Sequence, residues 1–493
     1  LFVVVPPEGV ARSVTYAAFV DRAERAAVAF ERAGIAPGDA VVVHLGTSLE
    51  FLTAWFGLLR LGALAVPTNL LSPAPEIAHS MAVSDATHVI TEPRFLAAVT
   101  GASEYGAPDP KTRIIARSGG PVEGWLDLDE LVDAVPAGAE LDRPSPRATE
   151  PAEVLFTSGT TSKPKGAMLT HANLIRAGHR VSLHYALTDG DRVASVLPLF
   201  HTGGQNMGVM AALAVGATCV LIEQYSASAF WDQIRDHGGT FIMFVATHVR
   251  TLLATPERPD DRDHPLRRTA FGMMITDDER DRFQRRFGVE LTYCYGQTEA
   301  CLLIAIAPPF GPKRWPAMGL PAFDRVVRIA DDDGNELPDG EVGEILVEAD
   351  PGRTVMLGYV NDPEATETTL AGGWLHTGDN GMIDEAGYLH FIDRKKDMIK
   401  RSGENVSALE VETILVAHPA ILEAAVVGVP DPIRGEAVKA FVVVEGERPT
   451  DEEIQEHCRT WLAPFKVPTE IEVLSELPKT SIGKVQKKDL KAR

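Results

Sequence analysis

The opening of the chain repeats one pattern, and that pattern restricts the fold more than any other feature. A helix-length amphipathic stretch is followed each time by a short apolar run. Residues 15–34 carry Tyr16, Phe19, Val20, Ala23, Ala27 and Phe30 on one helical face, Gly34 stops the helix, and AVVVHLG (40–46) reads as a buried strand. A helix near 49–62 precedes LGALAVPTN (61–69), and a helix near 74–83 precedes THVITE (87–92). RIIAR (113–117) is another short strand. Strands apolar on both faces need cover on both faces, which predicts parallel sheets sheathed by helices.

The alternation continues through RVASVLP (192–198), GATCVLIE (216–223) and GTFIMFV (239–245), to about residue 295. Residues 136–152, PAGAELDRPSPRATEPA, read as a surface connection rich in proline and charge. From about 319 the texture changes, and VVRIADDDGNELPDGEVGEILVE (326–348) reads as short strands joined by turns. A last segment begins near 397, with strands at 424–428 and 437–444, a helix near 451–462 and a lysine-rich tail. At 493 residues the chain exceeds what one core supports. The expected fold is α/β: a large N-terminal domain, 1–393, with helix-covered sheets and a β-rich subdomain at about 319–393. A small α+β C-terminal domain, 397–493, follows.

The formal charge of −22 repels phosphate backbones and anionic lipid, which argues against a nucleic-acid partner and against a membrane surface. An anionic ligand must then be held by a local positive site. The four cysteines, Cys219, Cys294, Cys301 and Cys458, have neither CxxC spacing nor the look of a disulfide framework, so they read as reduced thiols of a cytoplasmic protein. No apolar run approaches the ~18 residues of a membrane span. LFVVV at the start is too short for a signal-peptide core.

One loop offers such a local positive site. VLF (154–156) leads into TSGTTSKPKG (157–166). Backbone N–H groups around Gly159 can converge on phosphate oxygens because no Cβ blocks them. Thr157, Ser158, Thr160, Thr161 and Ser162 add hydroxyl donors, and Lys165 adds charge. This is not a Walker A loop, because Ala167 rather than Lys follows the second glycine. Alone, the loop also suits a mobile connection.

Four other stretches point the same way. YGQTEA (295–300) sets Thr298 beside Glu299, a lone carboxylate of the kind that binds Mg²⁺ together with substrate phosphates. WLHTGDNG (374–381) offers Asp379 between glycines, suited to accept two hydrogen bonds from ribose hydroxyls. FIDRKKDMIKRSGENVSALEVE (391–412) packs basic residues next to a turn, and PKTSIGKVQKKDL (478–490) presents Lys484 on a loop of small residues. Singly, each reads equally well as a surface feature.

Together, in this order, the five stretches resemble the acid-adenylating superfamily of acyl-CoA synthetases, luciferases and peptide-synthetase adenylation domains. The resemblance spans essentially the whole chain. Ser162 in place of the usual glycine, PLFHTGGQ (198–205), FWDQI and KRWP (313–316) make it closest to the carnitine/crotonobetaine-CoA ligase-like branch. The resemblance implies two half-reactions. A carboxylate attacks the α-phosphate of ATP, and a nucleophile, usually the thiol of CoA, then displaces AMP. It implies that the 157–166 loop binds the β- and γ-phosphates, Tyr295 stacks near adenine, Glu299 holds Mg²⁺ and Thr298 touches the α-phosphate. Asp379 and Arg394 fix the ribose, and Lys484 bridges the acid and the α-phosphate. The resemblance also implies a mobile C-terminal domain that turns about a hinge at 394–396, centred on Lys396. That turn exchanges the Lys484 loop for KRSGENVS (400–407), with Gly403 lining the thiol tunnel. His201 gates the acid pocket, beside Gly203, Gly204, Gln205 and Asn206. The resemblance implies a monomer or a homodimer, the states in which family members often occur.

One stretch departs from the family. Most relatives have a GGAPL-like turn where this chain reads FGMMITDDE (271–279), and that turn walls the adenine and acyl pockets. The expectation is an acyl-CoA ligase for a small polar carboxylic acid. The alternatives are adenylation of another acid, nitrite included, with transfer to an amine or a carrier protein, and a degenerate member that serves as a binding module.

Overall fold

The structure is a computed structural model that describes residues 1–7, 9–157, 164–395, 397–401, 404–432, 434–479 and 485–491, with the side chains of 404–405 also left aside. Ser158, Gly159, Thr160, Thr161, Ser162, Lys396, Gly403 and Lys484 therefore lie outside the described residues.

The chain forms two compact units. The first comprises Leu1–Met273, Glu279–Val327 and Val347–His376. It holds two sheets, of nine and eight strands among the described residues. Interior pairings are parallel, as the alternation requires: Ala40–His44 lies between Leu64–Pro67 and His88–Thr91, with Val42 opposite Val66 and Val89. Antiparallel strands occur only toward the edges. The parallel strands read FVVV, AVVVH and HVIT and are buried along their length, because helices cover both faces. Phe2–Val5 is one of them. It pairs in parallel with Thr218–Ile222, so the first apolar run is sheet core.

Local chemistry sets the helix ends. Ser48 caps Leu49–Leu61 by accepting from the Phe51 N–H, and Gly62 closes it at φ 82°. Thr170 and Asn173 form a reciprocal capping box on His171–His184. The helix Tyr16–Arg32 buries Phe19, Ala23, Ala26, Ala27 and Phe30. Val20, expected on that face, is 59% exposed. Gly57 lets the first two helices meet closely: a Cβ there would stand 2.8 Å from Ala26 Cβ and from the Phe30 ring. Trp55, on the same helix, is wholly buried.

The second unit comprises Met274–Asp278, Arg328–Leu346 and Thr377–Arg493. Glu404–Val406, Ile399–Arg401, Gly435–Val444 and Ile421–Asp431 form a sheet in that order, joined by Glu470–Val473 against Gly435–Val444. The helix Ala408–Val416 packs on it, and Thr450 and Glu453 cap Asp451–Trp461 with a capping box. Packing groups the chain differently from the division read at residue 394, because the strand Leu389–Arg394 is tied to the start of the helix Ala408–Val416. Buried Asp393 accepts from Ser407 Oγ at 3.1 Å and from the Leu409 N–H at 3.2 Å.

One glycine controls the hairpin that carries YGQTEA. Thr292–Gln297 and Leu302–Ile306 pair antiparallel with an irregularity between Tyr295 and Gly296. A Cβ on Gly296 would lie 1.4 Å from the Leu302 carbonyl oxygen, so the backbones must separate to admit one. Gly296→Ala is expected to cost about 1–3 kcal/mol of stability and to move the turn at Thr298–Glu299. A urea denaturation midpoint equal to wild type would contradict this account.

Candidate active site

In the first unit, the loop, the Thr298–Glu299 turn and a tyrosine are brought together by strand pairing. Pro151–Thr157 and Lys165–Thr170 pair antiparallel, with Thr157 opposite Lys165, so the two strands hold the described ends of the 157–166 loop side by side. Gly358–Tyr359 adds to the far side of this hairpin, with Tyr359 opposite Ala167. The Val360 N–H donates to the Gly166 carbonyl at 2.8 Å. Tyr359 thereby reaches two expected site residues. Its hydroxyl donates to Glu299 Oε1 at 2.9 Å, and Lys165 Nζ stands 5.0 Å from the centre of its ring. Burial and the adjacent Glu299 carboxylate push the phenol well above its ordinary range, so it stays a donor.

Glu299 lies in a short turn, Thr298–Ala300, closed by the Cys301 N–H to the Thr298 carbonyl at 2.9 Å. Two buried arginines grip that turn. Arg180 Nη1 donates to the Cys301 carbonyl at 3.1 Å while its other nitrogens hold Asp324 at 2.7 and 2.8 Å. Arg325 donates to the Ala300 carbonyl. The Met356 N–H donates to the Glu299 carbonyl at 2.8 Å. Each buried charge finds an acid or a carbonyl, so the turn is held by charge-assisted bonds rather than by its own short loop. Tyr295 lies on the strand that enters the turn, opposite Ala305.

His201 precedes a π-helical turn, Gly203–Met210, an uncommon form that occurs often at functional sites. Burial lowers its pKa to about 4, so the imidazole is neutral at pH 7. Gln205 and Asn206 are fully buried in this turn, and Gln205 Nε2 donates to buried Glu153 at 3.0 Å. At the departure from the family pattern, Met273 is partly exposed and takes a left-handed φ of 76°.

The second unit brings Asp379 and Arg394 together. They face each other across the Trp374–Ile383 and Leu389–Arg394 pairing, with Arg394 Nε 3.6 Å from Asp379 Oδ1. Asp379 is buried, and its N–H donates to Thr377 Oγ1 at 3.2 Å. Lys395 pairs with Asp332 at 2.9 Å and Glu344 at 3.1 Å.

Tyr359 and Glu153 were not singled out from the sequence. Tyr359 sits in MLGYVND, which carries no periodic signal, and only strand addition delivers it to Glu299. Glu153 had a readable mark, a lone carboxylate in an otherwise apolar strand.

Comparison with known proteins identifies the family. The family model described as AMP-binding enzyme matches residues 3–360, and that described as AMP-binding enzyme C-terminal domain matches 410–484. A crotonobetaine/carnitine–CoA ligase of Citrobacter koseri is 41% identical over 488 residues, covering 98% of this chain and 94% of that protein. Its counterpart in Salmonella enteritidis is 39% identical over 486 residues, with coverage of 98% and 94%. Among solved structures, an anthranilate CoA ligase in complex with anthranoyl-AMP has a TM-score of 0.88 at 28% identity, covering 99% of this chain and 93% of that one. A benzoate CoA ligase from Burkholderia xenovorans has a TM-score of 0.86 at 28% identity, with coverage of 99% and 96%. The chain belongs to the AMP-binding enzyme family and is an AMP-forming acyl-CoA ligase of the adenylate-forming type.

Proposed function

We propose that this ligase makes the CoA thioester of a small polar carboxylic acid, with carnitine and crotonobetaine the first acids to test. The observation that carries the reading is full-length similarity, at 39% and 41% identity, to two proteins named for those substrates. ATP supplies the adenylate and CoA the acceptor thiol, as in CoA ligases of this family.

The side chains divide the work by chemistry. In adenylation the acid's carboxylate attacks the α-phosphorus and pyrophosphate leaves in line, so charge must be neutralised and the reactants aligned. Thr157 and Lys165, with Ser158, Gly159, Thr160 and Thr161, hold the β- and γ-phosphates. Thr298 donates to the α-phosphate, and Tyr295 packs against adenine. Asp379 and Arg394 hold the ribose, and the neutral His201 borders the acid. Lys484 bridges the carboxylate and the α-phosphate. We place the hinge at 394–396, with Lys396 as its pivot and Gly403 beside the incoming thiol. The four cysteines are free and buried, which suits a reducing cytoplasm. No helix among the described residues is long and apolar enough to cross a membrane.

Mg²⁺ fits this donor set as a companion of the nucleotide. Among the described residues no group of three or more His, Cys, Asp or Glu side chains is arranged to hold a metal alone. Glu299 is a single carboxylate whose Oε1 accepts from Tyr359. One carboxylate plus substrate phosphates is how proteins commonly bind Mg²⁺. Glu299 would hold the ion, which when bound supplies charge neutralisation to the phosphates.

Mass spectrometry of products from enzyme, ATP, Mg²⁺ and pooled acids, with and without CoA, should reveal an acyl-CoA of a small polar acid. AMP release without a thioester would overturn CoA as acceptor and redirect the search to amines, including an arylamine with nitrite, and to carrier proteins. Lys484→Ala should slow adenylation by about 10²-fold or more, the scale of losing one transition-state contact, with an unchanged melting temperature. Equal turnover in mutant and wild type would remove Lys484 from the chemistry. Tyr359→Phe should raise the Mg²⁺ concentration needed for half-maximal adenylation by about 10-fold, the usual penalty for losing a hydrogen bond to a metal ligand. An unchanged Mg²⁺ dependence would mean that the Tyr359–Glu299 bond plays no part in ion binding.

A further inference from the structure

One buried acid in the first unit has no part in the chemistry assigned so far. Glu153 lies four residues before Thr157 on the strand that enters the phosphate loop, paired with Ala65 on one side and Leu169 on the other. It is wholly buried, and its neighbours Ala152, Val154 and Leu155 are apolar and buried too. Gln205, equally buried, donates from Nε2 to Glu153 Oε2 at 3.0 Å across 52 positions of chain. The Trp55 indole faces the carboxyl without reaching hydrogen-bond geometry. The Cys301 thiol, two residues beyond Glu299, lies within electrostatic reach of Glu153 and is pushed up to about 11, chiefly by burial.

The other end of the hydrogen bond is anchored as well. The Gln205 N–H donates to the His201 carbonyl at 3.1 Å, closing the first turn after the histidine. Gly204 presses on the segment before it: a Cβ there would stand 2.3 Å from the Pro198 carbonyl oxygen and 2.7 Å from that of Leu197. The turn therefore has little room to shift, and a change at Gln205 is felt at His201.

An apolar pair of the same shape would fill this place without desolvating a carboxyl and an amide. A buried polar contact specifies one register between two elements where apolar packing allows several. We propose that Glu153 is a positioning residue for acid activation, whose bond to Gln205 sets the phosphate-loop strand in register with the turn that carries His201. This rests on the assignment of the 157–166 loop to phosphates and of His201 to the acid pocket. In effect, Glu153 holds the two substrates' binding elements at one spacing.

Burial raises the Glu153 carboxyl to about 8, so it is mostly protonated at pH 7. The protonated group carries an O–H donor, and Glu153 Oε1 and Gln205 Oε1 are both buried with no other hydrogen-bond partner. The groups that act on this carboxyl are Gln205 and Trp55; the charges that act on Cys301 besides Glu153 are Arg325, Arg180 and Asp324. From the ordinary glutamate range up to about 8, the unfolded chain has shed this proton while the folded chain keeps it. Stability from this group is thus complete at low pH and is lost as pH rises through that window.

The test compares full-length wild type with Glu153→Gln, Glu153→Leu and Gln205→Leu. Melting temperature is followed against pH, and ATP–pyrophosphate exchange is followed with Mg²⁺, ATP and carnitine. Glu153→Gln should fold, keep exchange at pH 7 within about 3-fold, and lack the fall in exchange expected of wild type near pH 8. Its melting temperature should gain on wild type from about pH 5 to about pH 8 and then level off. Glu153→Leu and Gln205→Leu should each lower kcat for exchange by about 10-fold and raise KM for carnitine. A Glu153→Gln profile that keeps the wild-type limb would overturn the proposal, as would a folded Glu153→Leu with wild-type kcat and KM. If wild type exchanges no pyrophosphate with carnitine, the acid assignment fails and this one does not. The stabilising shift given by ATP alone then decides, halved or lost in Glu153→Leu if the proposal holds and unchanged if it does not.

Discussion

The antiparallel pairing of Pro151–Thr157 with Lys165–Thr170 is the constraint on which the site depends. It sets Thr157 opposite Lys165 and so holds the described ends of the 157–166 loop together. Its inner strand joins the parallel sheet through Leu64–Pro67, and its outer strand accepts Gly358–Tyr359. Through that last pairing Tyr359 meets both Lys165 and Glu299. A slip of one residue would turn every side chain of the hairpin to the opposite face. Tyr359 would then lose Glu299, and Glu153 would lose Gln205.

The second anchor is electrostatic. Thr298 and Glu299 lie on a short turn that its own backbone bonds hold only weakly. Arg180 and Arg325 bind the carbonyls of Cys301 and Ala300, and Arg180 is itself neutralised by Asp324. Buried charges of this kind add little net stability, yet they are costly to leave unpaired, and so they fix geometry. A carboxylate proposed to hold a metal ion beside substrate phosphates would need that rigidity more than extra burial. Asp379 and Arg394 follow the same logic in the second unit, where strand register sets acid and base face to face.

The route from sequence to site was uneven, for physical reasons. Periodicity identified the helix-covered parallel sheets because burial on both faces writes itself into apolar runs. It misplaced Val20, which stands at the margin of its helical face and looks to solvent. Phe2–Val5 was read only as too short for a signal-peptide core, yet it is a sheet strand whose partner lies more than 200 positions away, at Thr218–Ile222. Local pattern carries no information about that partner. The motif stretches pointed to the family because the chemistry proposed for them restricts residue type over a few adjacent positions. Tyr359 was not legible, since its role depends on strand addition between distant segments.

What the sequence determined by itself is the class of chemistry and the alternating architecture. Glycines, hydroxyls, a lone glutamate and spaced lysines are local necessities of binding a polyphosphate, and apolar runs are local necessities of a covered sheet. The tertiary structure decided which of these groups meet. The hydrogen bonds Tyr359–Glu299 and Gln205–Glu153 join residues 60 and 52 positions apart. Such contacts depend on sheet order and strand register, which are set by the packing of the whole core and not by any one stretch of chain.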